Sequence, residues 1–332
     1  MSEAAFDGFE AFLDQDHEFL ITAHVDPDGD AVGSCLGLLL ALRHLGKESQ
    51  VILDSPLPDS LTFLPESKGI LRPEQVTKRF SHAFVLDSSS LDRVGRVADS
   101  NLAPNARIAV IDHHWGNAGF GAPRLVNTEA SATAELVYDL IESWQVPLSP
   151  EIATSLYTGI LSDTGGFRYA NTSARTLRVS ARLVEHGAQA AAVAEAIYAT
   201  KTAPSLRILG LALASLETRS DGRIGAMTIS RAMFDQAGAK PEDADGIVQY
   251  AKALAGARVG VLIQEAIPGE IRASLRSDGT VDVNEVASRF GGGGHRNAAG
   301  LRVRGELTAV RADLFRALEH AMNGGGGPPR PA

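Results

Sequence analysis

The chain has 332 residues, is 44% hydrophobic and carries a formal net charge of −9. That length supports a sizeable core in two domains, and the acidic balance excludes a long basic surface for duplex nucleic acid. The single cysteine, Cys35, excludes an internal disulfide framework and a thiolate metal cluster. No apolar run is long enough to span a bilayer, since Leu36 to Leu42 is broken by Arg43 and His44. Glu3, Asp7 and Glu10 stand where a signal peptide would carry a basic region and an apolar stretch. A cytoplasmic protein without membrane association is expected.

The first half alternates strand and helix. Glu18 to Ala23 reads as a short apolar strand, and Asp30 to Leu45 as a helix stopped by Gly46. Gln50 to Leu53, Ala83 to Leu86 and Ile108 to Ile111 are short apolar runs that end in polar clusters. Ser131 to Trp144 and Ile152 to Leu161 have helical spacing of apolar residues. This alternation predicts an α/β fold with a doubly wound, mostly parallel sheet. Such sheets bind ligands at the carboxyl ends of their strands. The polar clusters His24 to Asp30, Asp87 to Ser90 and Asp112 to His114 fall at those ends.

Thr172 to Glu185, Ala190 to Tyr198 and Arg207 to Leu216 read as helices, and the strand pattern then returns. Arg223 to Ile229 and Ala257 to Glu265 are strand-like. Pro268-Gly269 turns the chain into a partner strand, Ile271 to Arg276. Val283 to Phe290 reads as a short helix before a glycine-rich loop, and Thr308 to Met322 as a final amphipathic helix. The expected organisation is a first domain over residues 1–187 and a helical connector over 188–215. A smaller mixed-sheet α/β domain follows over 216–322, then a disordered Gly/Pro tail over 323–332.

The segment His24-Val25-Asp26-Pro27-Asp28-Gly29-Asp30 puts an imidazole and three carboxylates on one tight turn. Like charges this close repel unless a cation neutralises them. Alone, the segment also suits a turn with Asp30 capping a helix. Asp87 follows a buried strand, and Asp163 follows an apolar helix and precedes Gly165-Gly166. Asp112-His113-His114 delivers a carboxylate and two imidazoles to a strand end. Adjacent side chains on an extended backbone point opposite ways. One histidine can therefore bind a metal while the other reaches substrate, with Asp112 orienting a ring.

Four such clusters are not four independent turns. The ligand count suggests two divalent ions: His24 and Asp28 for one, Asp30, His113 and Asp163 for the other, and Asp87 as a bridge. Hard oxygens with imidazole suit Mn²⁺, Mg²⁺ or Fe²⁺ better than a thiolate-seeking metal. Two ions about 3.5–4 Å apart clamp the oxygens of a displacement at phosphorus, and the bridging water becomes a hydroxide near neutral pH.

At these residues the chain resembles the DHH superfamily of phosphoesterases. The H-x-x-x-D-x-D pattern matches His24, Asp28 and Asp30; the later carboxylates match Asp87 and Asp163, and the name-giving triplet matches Asp112-His113-His114. The resemblance implies two Mn²⁺, with His113 as a ligand and His114 as a phosphate-contacting or proton-donating residue. Gly291-Gly292-Gly293-Gly294-His295-Arg296-Asn297-Ala298-Ala299-Gly300 looks like the signature of the DHHA1 domain. Consecutive glycines let backbone N–H groups approach a phosphate, and His295, Arg296 and Asn297 add side-chain donors. Gly292, Gly293, Gly294, His295, Arg296 and Asn297 are the expected substrate-binding residues.

Size and connector resemble the subgroup that degrades nanoRNA and dephosphorylates 3′-phosphoadenosine 5′-phosphate. A short RNA or nucleotide substrate is expected, with His114, Asp112 and Asp87 as catalytic residues. A cyclic-dinucleotide phosphodiesterase, an inorganic polyphosphatase or pyrophosphatase, and a non-catalytic nucleotide-binding module are the rivals; a homodimer is allowed. Trp115 is a base-stacking candidate, and Trp144 reads as helix packing. Arg272 and Arg276 share one face of a predicted strand, either solvated or available to a phosphate, and Arg168 is placed similarly. His17, His44, His82, His186 and His320 read as surface or packing residues.

Overall fold

A computed structural model describes residues 6–15, 18–117 and 119–322. The chain divides into two units, Met1–Thr200 and Lys201–Ala332, and the division falls inside the 188–215 segment expected as a connector. The expected tail over 323–332 and His17 lie outside the described residues.

The first unit runs α1 (Asp7–Leu13), β1 (Glu18–Thr22), α2 (Gly29–His44), β2 (Glu48–Val51), β3 (Phe80–Leu86), α3 (Arg96–Asn101), β4 (Leu102–Asp112) and β5 (Arg124–Val126). Helices α4 (Thr133–Ser143), α5 (Pro150–Asp163), α6 (Ala174–Glu185) and α7 (Ala190–Ala194) complete it. The helix expected over 190–198 changes to a π-helical turn at Glu195–Ala199. All five strands are parallel, in the order β2-β1-β3-β4-β5. β1, β3 and the end of β4 are buried on both faces, which explains their near-continuous apolar runs, whereas β2 and β5 at the sheet's margins are partly exposed. Phe19, Ile21, Phe84, Leu86, Ala109 and Ile111 face the core built with α2, α4 and α5. Leu20, Ala83 and Val85 face the smaller core that includes Val97 of α3. The strand order reverses between β1 and β3, which is where a doubly wound sheet offers its ligand crevice.

The second unit runs α8 (Ala203–Ala214), β6 (Glu217–Arg219), β7 (Ile224–Ile229), α9 (Arg231–Ala237), α10 (Val248–Lys252), β8 (Val259–Ile267), β9 (Glu270–Ser277), α11 (Val283–Ser288), β10 (Gly293–His295), β11 (Ala298–Arg304) and α12 (Leu307–Met322). Its sheet has the order β10-β11-β9-β8-β7-β6, and only β7 and β8 pair in parallel. The β8–β9 hairpin turns at Pro268-Gly269 as expected, with Gly269 at φ +72°. One face packs on α11 and α12; the other meets α8, α9 and α10 around Met227, Ile229 and Leu262.

The glycine-rich run is not the loop its composition suggests. Gly293, Gly294 and His295 pair antiparallel with Gly300, Ala299 and Ala298, forming the last strand of the sheet. A Cβ on Gly292 would lie 2.2 Å from the Gly300 carbonyl oxygen, and one on Gly294 2.5 Å from that of Ala298. Absent side chains let two backbones close on each other.

Candidate metal centre

Three neighbouring strands deliver the cluster. His24 lies just past β1, Asp87 directly follows β3, and Asp112 ends β4 with His113 and His114 behind it. β1 and β3 flank the reversal in strand order. Asp87 sits in the left-handed region at φ +51°, a conformation that Asp tolerates better than most residues. Its N–H donates to the Ile111 carbonyl at 2.9 Å, which ties the turn to β4.

Two helices bring the remaining carboxylates. Asp28 caps α2, its Oδ1 accepting from the N–H groups of Asp30 (3.0 Å) and Ala31 (3.1 Å). The cap is thus Asp28, not Asp30, and Asp30 is released for another task. Fully buried, Asp30 accepts from Thr133 N (2.6 Å), Ala134 N (2.9 Å) and Ser34 Oγ (3.1 Å). The first two are the opening N–H groups of α4, whose dipole favours an anion there. Thr133 Oγ1 donates to Asp87 Oδ1 at 3.0 Å. Asp163 arrives as the last residue of α5, which runs opposite to α2. A Cβ on Gly33 would lie 2.3 Å from the Ser155 carbonyl oxygen, and one on Gly159 2.8 Å from Asp30 Oδ1. Small residues therefore set how near Asp163 comes to Asp30.

The histidines divide into two kinds. His24 Nδ1 lies 2.7 Å from the Val25 carbonyl oxygen, with Nε2 3.4 Å from Asp87 Oδ2. His113 Nδ1 lies 3.3 Å from the Ala130 carbonyl oxygen. Its Nε2 stands 3.4 Å from Asp163 Oδ2, 3.6 Å from Asp87 Oδ1 and 3.8 Å from Asp30 Oδ2. An Nδ1–H donated to a carbonyl leaves Nε2 as an acceptor facing carboxylates, an arrangement that needs a proton or a cation between them. His114 is turned the other way. Its Nδ1 lies 2.7 Å from Asp112 Oδ1, and Asp112 Oδ2 accepts from Asn117 Nδ2 at 2.7 Å. Asp112 therefore orients His114, not His113.

One donor atom from each of His24, Asp28 and Asp87 lies within 4.8 Å of the other two, and the same holds for Asp30, His113 and Asp163. A third group, Asp87, His113 and His114, overlaps both through Asp87 and His113. Electrostatics mark the cluster as incomplete. Burial, then Asp87 and Asp163, push the Asp30 carboxyl well above the usual carboxylate range. Burial, then Asp28 and Asp87, do the same to Asp163. Burial opposes the charged form of Asp87 too, but the His24 hydrogen bond and the charges of His113, His114 and His24 hold it well below that range. For His24, burial is outweighed by the hydrogen bond and charge of Asp87 together with Asp28, and its pKa is pushed up to about 9. Divalent cations would relieve the carboxylate repulsion and replace the proton on His24. The donors are hard oxygens and imidazole nitrogens with no sulfur, so the residues present fit such ions.

Residues 18–160 match the DHH family, N-terminal domain, and residues 225–324 match the DHHA1 domain. A Thermus thermophilus protein named bifunctional oligoribonuclease and PAP phosphatase NrnA is 36% identical over 306 residues, 90% of each chain. The chain belongs to the DHH family. A Bacillus subtilis protein of the same name is 27% identical over 89% of this chain and 93% of its own. An exopolyphosphatase-related protein from Bacteroides fragilis matches with a TM-score of 0.91 at 28% identity, over 97% of each chain.

In this DHH-family chain the eight residues singled out from the first-unit motifs gather at one sheet edge. Gly292 to Asn297 lie in the second unit: Gly293, Gly294 and His295 on β10, then Arg296 and Asn297 in the turn to β11. Arg296 Nε donates to the Gly279 carbonyl at 3.3 Å. Trp115 is 76% exposed beside His114, whereas Trp144 is half-buried against the core. His82 packs edge-on against Phe12 and Phe19. Ser34, Thr133, Ala134, Ala130 and Asn117 were missed. Ser34 was findable, four residues after Asp30 on the same helix face. Thr133 opens α4 and Asn117 lies in the loop after β4; as single polar residues they carry no periodic signal. No helix among the described residues is long and apolar enough to cross a membrane.

Proposed function

We propose that this protein is a phosphoesterase using two divalent ions to hydrolyse short oligoribonucleotides and 3′-phosphoadenosine 5′-phosphate. The observation that carries this reading is the pair of donor sets at the strand ends, linked where Asp87 Oδ1 of the first lies 3.6 Å from His113 Nε2 of the second. His24, Asp28 and Asp87 would hold one ion, and Asp30, His113 and Asp163 the other, with Asp87 between them. Mn²⁺ is the ion proposed, on the mixed oxygen and imidazole donors. Bound there, the ions would neutralise charge on the phosphoryl group and activate water without a nucleophilic side chain.

The rest of the chemistry belongs to the chain. Asp112 accepts from His114 Nδ1 and so fixes its ring and tautomer. His114 then contacts the phosphate and supplies a proton to the leaving oxygen. Thr133 and the start of α4 keep Asp87 and Asp30 in place as donors. In the second unit, Gly292 to Asn297 contribute to holding the substrate. The relatives named as oligoribonuclease and PAP phosphatase support the substrate class.

The test is kinetics with Mn²⁺ on RNA from dinucleotide to 24-mer, beside pAp, pApA, cyclic di-AMP and pyrophosphate. Highest kcat/KM on the shortest RNAs and on pAp is expected. Faster turnover of the 24-mer, or preference for cyclic di-AMP or pyrophosphate, would sink the reading.

A further inference from the structure

The second unit carries a cationic row that the motifs do not include. In the antiparallel register of β11, β9 and β8, Arg302 stands opposite Arg272, and Arg272 opposite Gln264. Like charges directly opposite on a sheet repel. Among the described residues the ionic partner of both guanidiniums is a single carboxylate, Glu270, whose Oε1 lies 3.4 Å from Arg272 Nε and 3.5 Å from Arg302 Nε. Arg304 is paired in register with Glu270. The edge therefore keeps a positive excess in a chain whose net charge is −9.

The surroundings fit an extended anionic ligand. Ile271, Ala273 and Leu275 alternate with the arginines and fill the core beneath the sheet. The arginines are thus on the opposite face, where Leu262 of β8 lies under the helices. Farther along that face the cover ends: Arg302 and Gly300 are exposed. A Cβ on Gly300 would meet only the Ala273 carbonyl oxygen, at 3.7 Å, so the floor there is flat. At the inner end of the row, Gln264 is 7% exposed and its Oε1 has no hydrogen-bond partner. An unpaired buried acceptor needs a donor, which a ribose 2′-hydroxyl supplies and a phosphate oxygen does not. Arg276 lies on the same face four residues from Arg272, about 13 Å along the strand at ~3.3 Å per residue, and is paired in register with Ala298, the neighbour of His295 across the β10–β11 pair.

We propose that Arg272 and Arg302 form a subsite for a backbone phosphate of short single-stranded RNA, beyond the nucleotide held at the β10 end of the sheet. The inference rests on the proposed function and adds the means by which substrate length is sensed. Guanidiniums suit this task because each presents a fork of donors to phosphate oxygens. A mononucleotide does not bridge the distance from β10 to this row, whereas a chain of several nucleotides does.

The experiment compares wild type, R272A, R302A and the double variant, as full-length Mn²⁺ enzymes, on pAp and on a pentaribonucleotide. Expected is a tenfold or greater loss of kcat/KM on the pentamer, mostly in KM, with pAp turnover kept within twofold. The slope of log KM against log salt for the pentamer should become shallower by about one for each arginine removed. Equal losses on both substrates, or no loss on either, would overturn the subsite. If the wild type hydrolyses no RNA, the proposed function fails by itself. The subsite is then read from fluorescence anisotropy of a labelled pentamer with the full chain in EDTA, where unchanged affinity in the double variant rejects it.

Discussion

The metal centre and the glycine hairpin achieve proximity by opposite means. At the strand ends of the first unit, charged side chains are driven together against their own repulsion, held by α4 and by the packing of α2 on α5. Along Gly292 to Gly294 there are no side chains, and the backbone there closes on the carbonyls of Gly300 and Ala298 because nothing stands between them. The first region is rich in chemistry but electrostatically unfinished, whereas the second is sterically complete. Removing a group should therefore be worst in the first, and adding one worst in the second.

The largest expected effect tests the shared carboxylate. Asp87→Ala should lower kcat about 10³-fold or more, equivalent to ~4 kcal/mol, and abolish tight binding of the ions in calorimetry. Retained activity would remove Asp87 from between the two donor sets. Next come the paired histidines. His114→Ala should cost about 10²- to 10³-fold in kcat, within the range of general acid catalysis, while ion affinity is kept. His113→Ala should lose both. Matching ion-binding isotherms for the two variants would erase the distinction drawn from their Nδ1 partners.

A smaller effect concerns protons. With its pKa raised to about 9, His24 is protonated at neutral pH in the ion-free protein, and an entering ion must displace that proton. Ion affinity should therefore rise with pH, about tenfold per unit for one proton, and level off above about pH 9. The raised Asp30 and Asp163 steepen the fall toward acid pH. Calorimetry in two buffers of different ionisation enthalpy counts the protons released; affinity flat from pH 6 to 9 would take His24 out of the donor set. The smallest effect belongs to the hairpin. Gly292→Ala should cost about 1–3 kcal/mol by overpacking. Gly293→Ala, whose Cβ would meet only Asn284 Oδ1 at 3.8 Å, should leave the melting temperature nearly unchanged and raise KM. Equal destabilisation by both would mean that the close approach is not specific to Gly292.

The two regions also differ in how openly the sequence shows them. Strands β1, β3 and the end of β4 were readable because burial on both faces writes an apolar run, and their polar ends marked the crevice; the first half of β4, from Leu102 to Arg107, is partly exposed and carries no such run. The ligand motifs followed from residue type and spacing. The hairpin hid because glycine composition resembles a flexible loop; only the pairing with Ala298 to Gly300 makes it a strand. Short elements such as β5, α9 and α10 span no more than two periods of pattern, too few to stand out. The cap moved from Asp30 to Asp28 because both carboxylates suit a helix start, and what distinguishes them is Thr133 and Ala134, distant in the chain. Asn117 was invisible for the same reason, since its role exists only once Asp112 has turned toward His114.

The contact of Gly33 with Ser155 has a consequence for ion choice. Two helices in backbone contact cannot slide closer, and no side chain lies there to be trimmed, so the gap between Asp30 and Asp163 has a hard lower limit. It yields only by widening. A methyl group at Gly33 would wedge the helices apart and carry the two carboxylates with them, favouring a larger sphere such as Ca²⁺, with oxygens at about 2.3–2.6 Å, over one that demands about 2.0–2.1 Å. Selection by ionic radius would then be written not in any ligand but in a glycine that touches no ion.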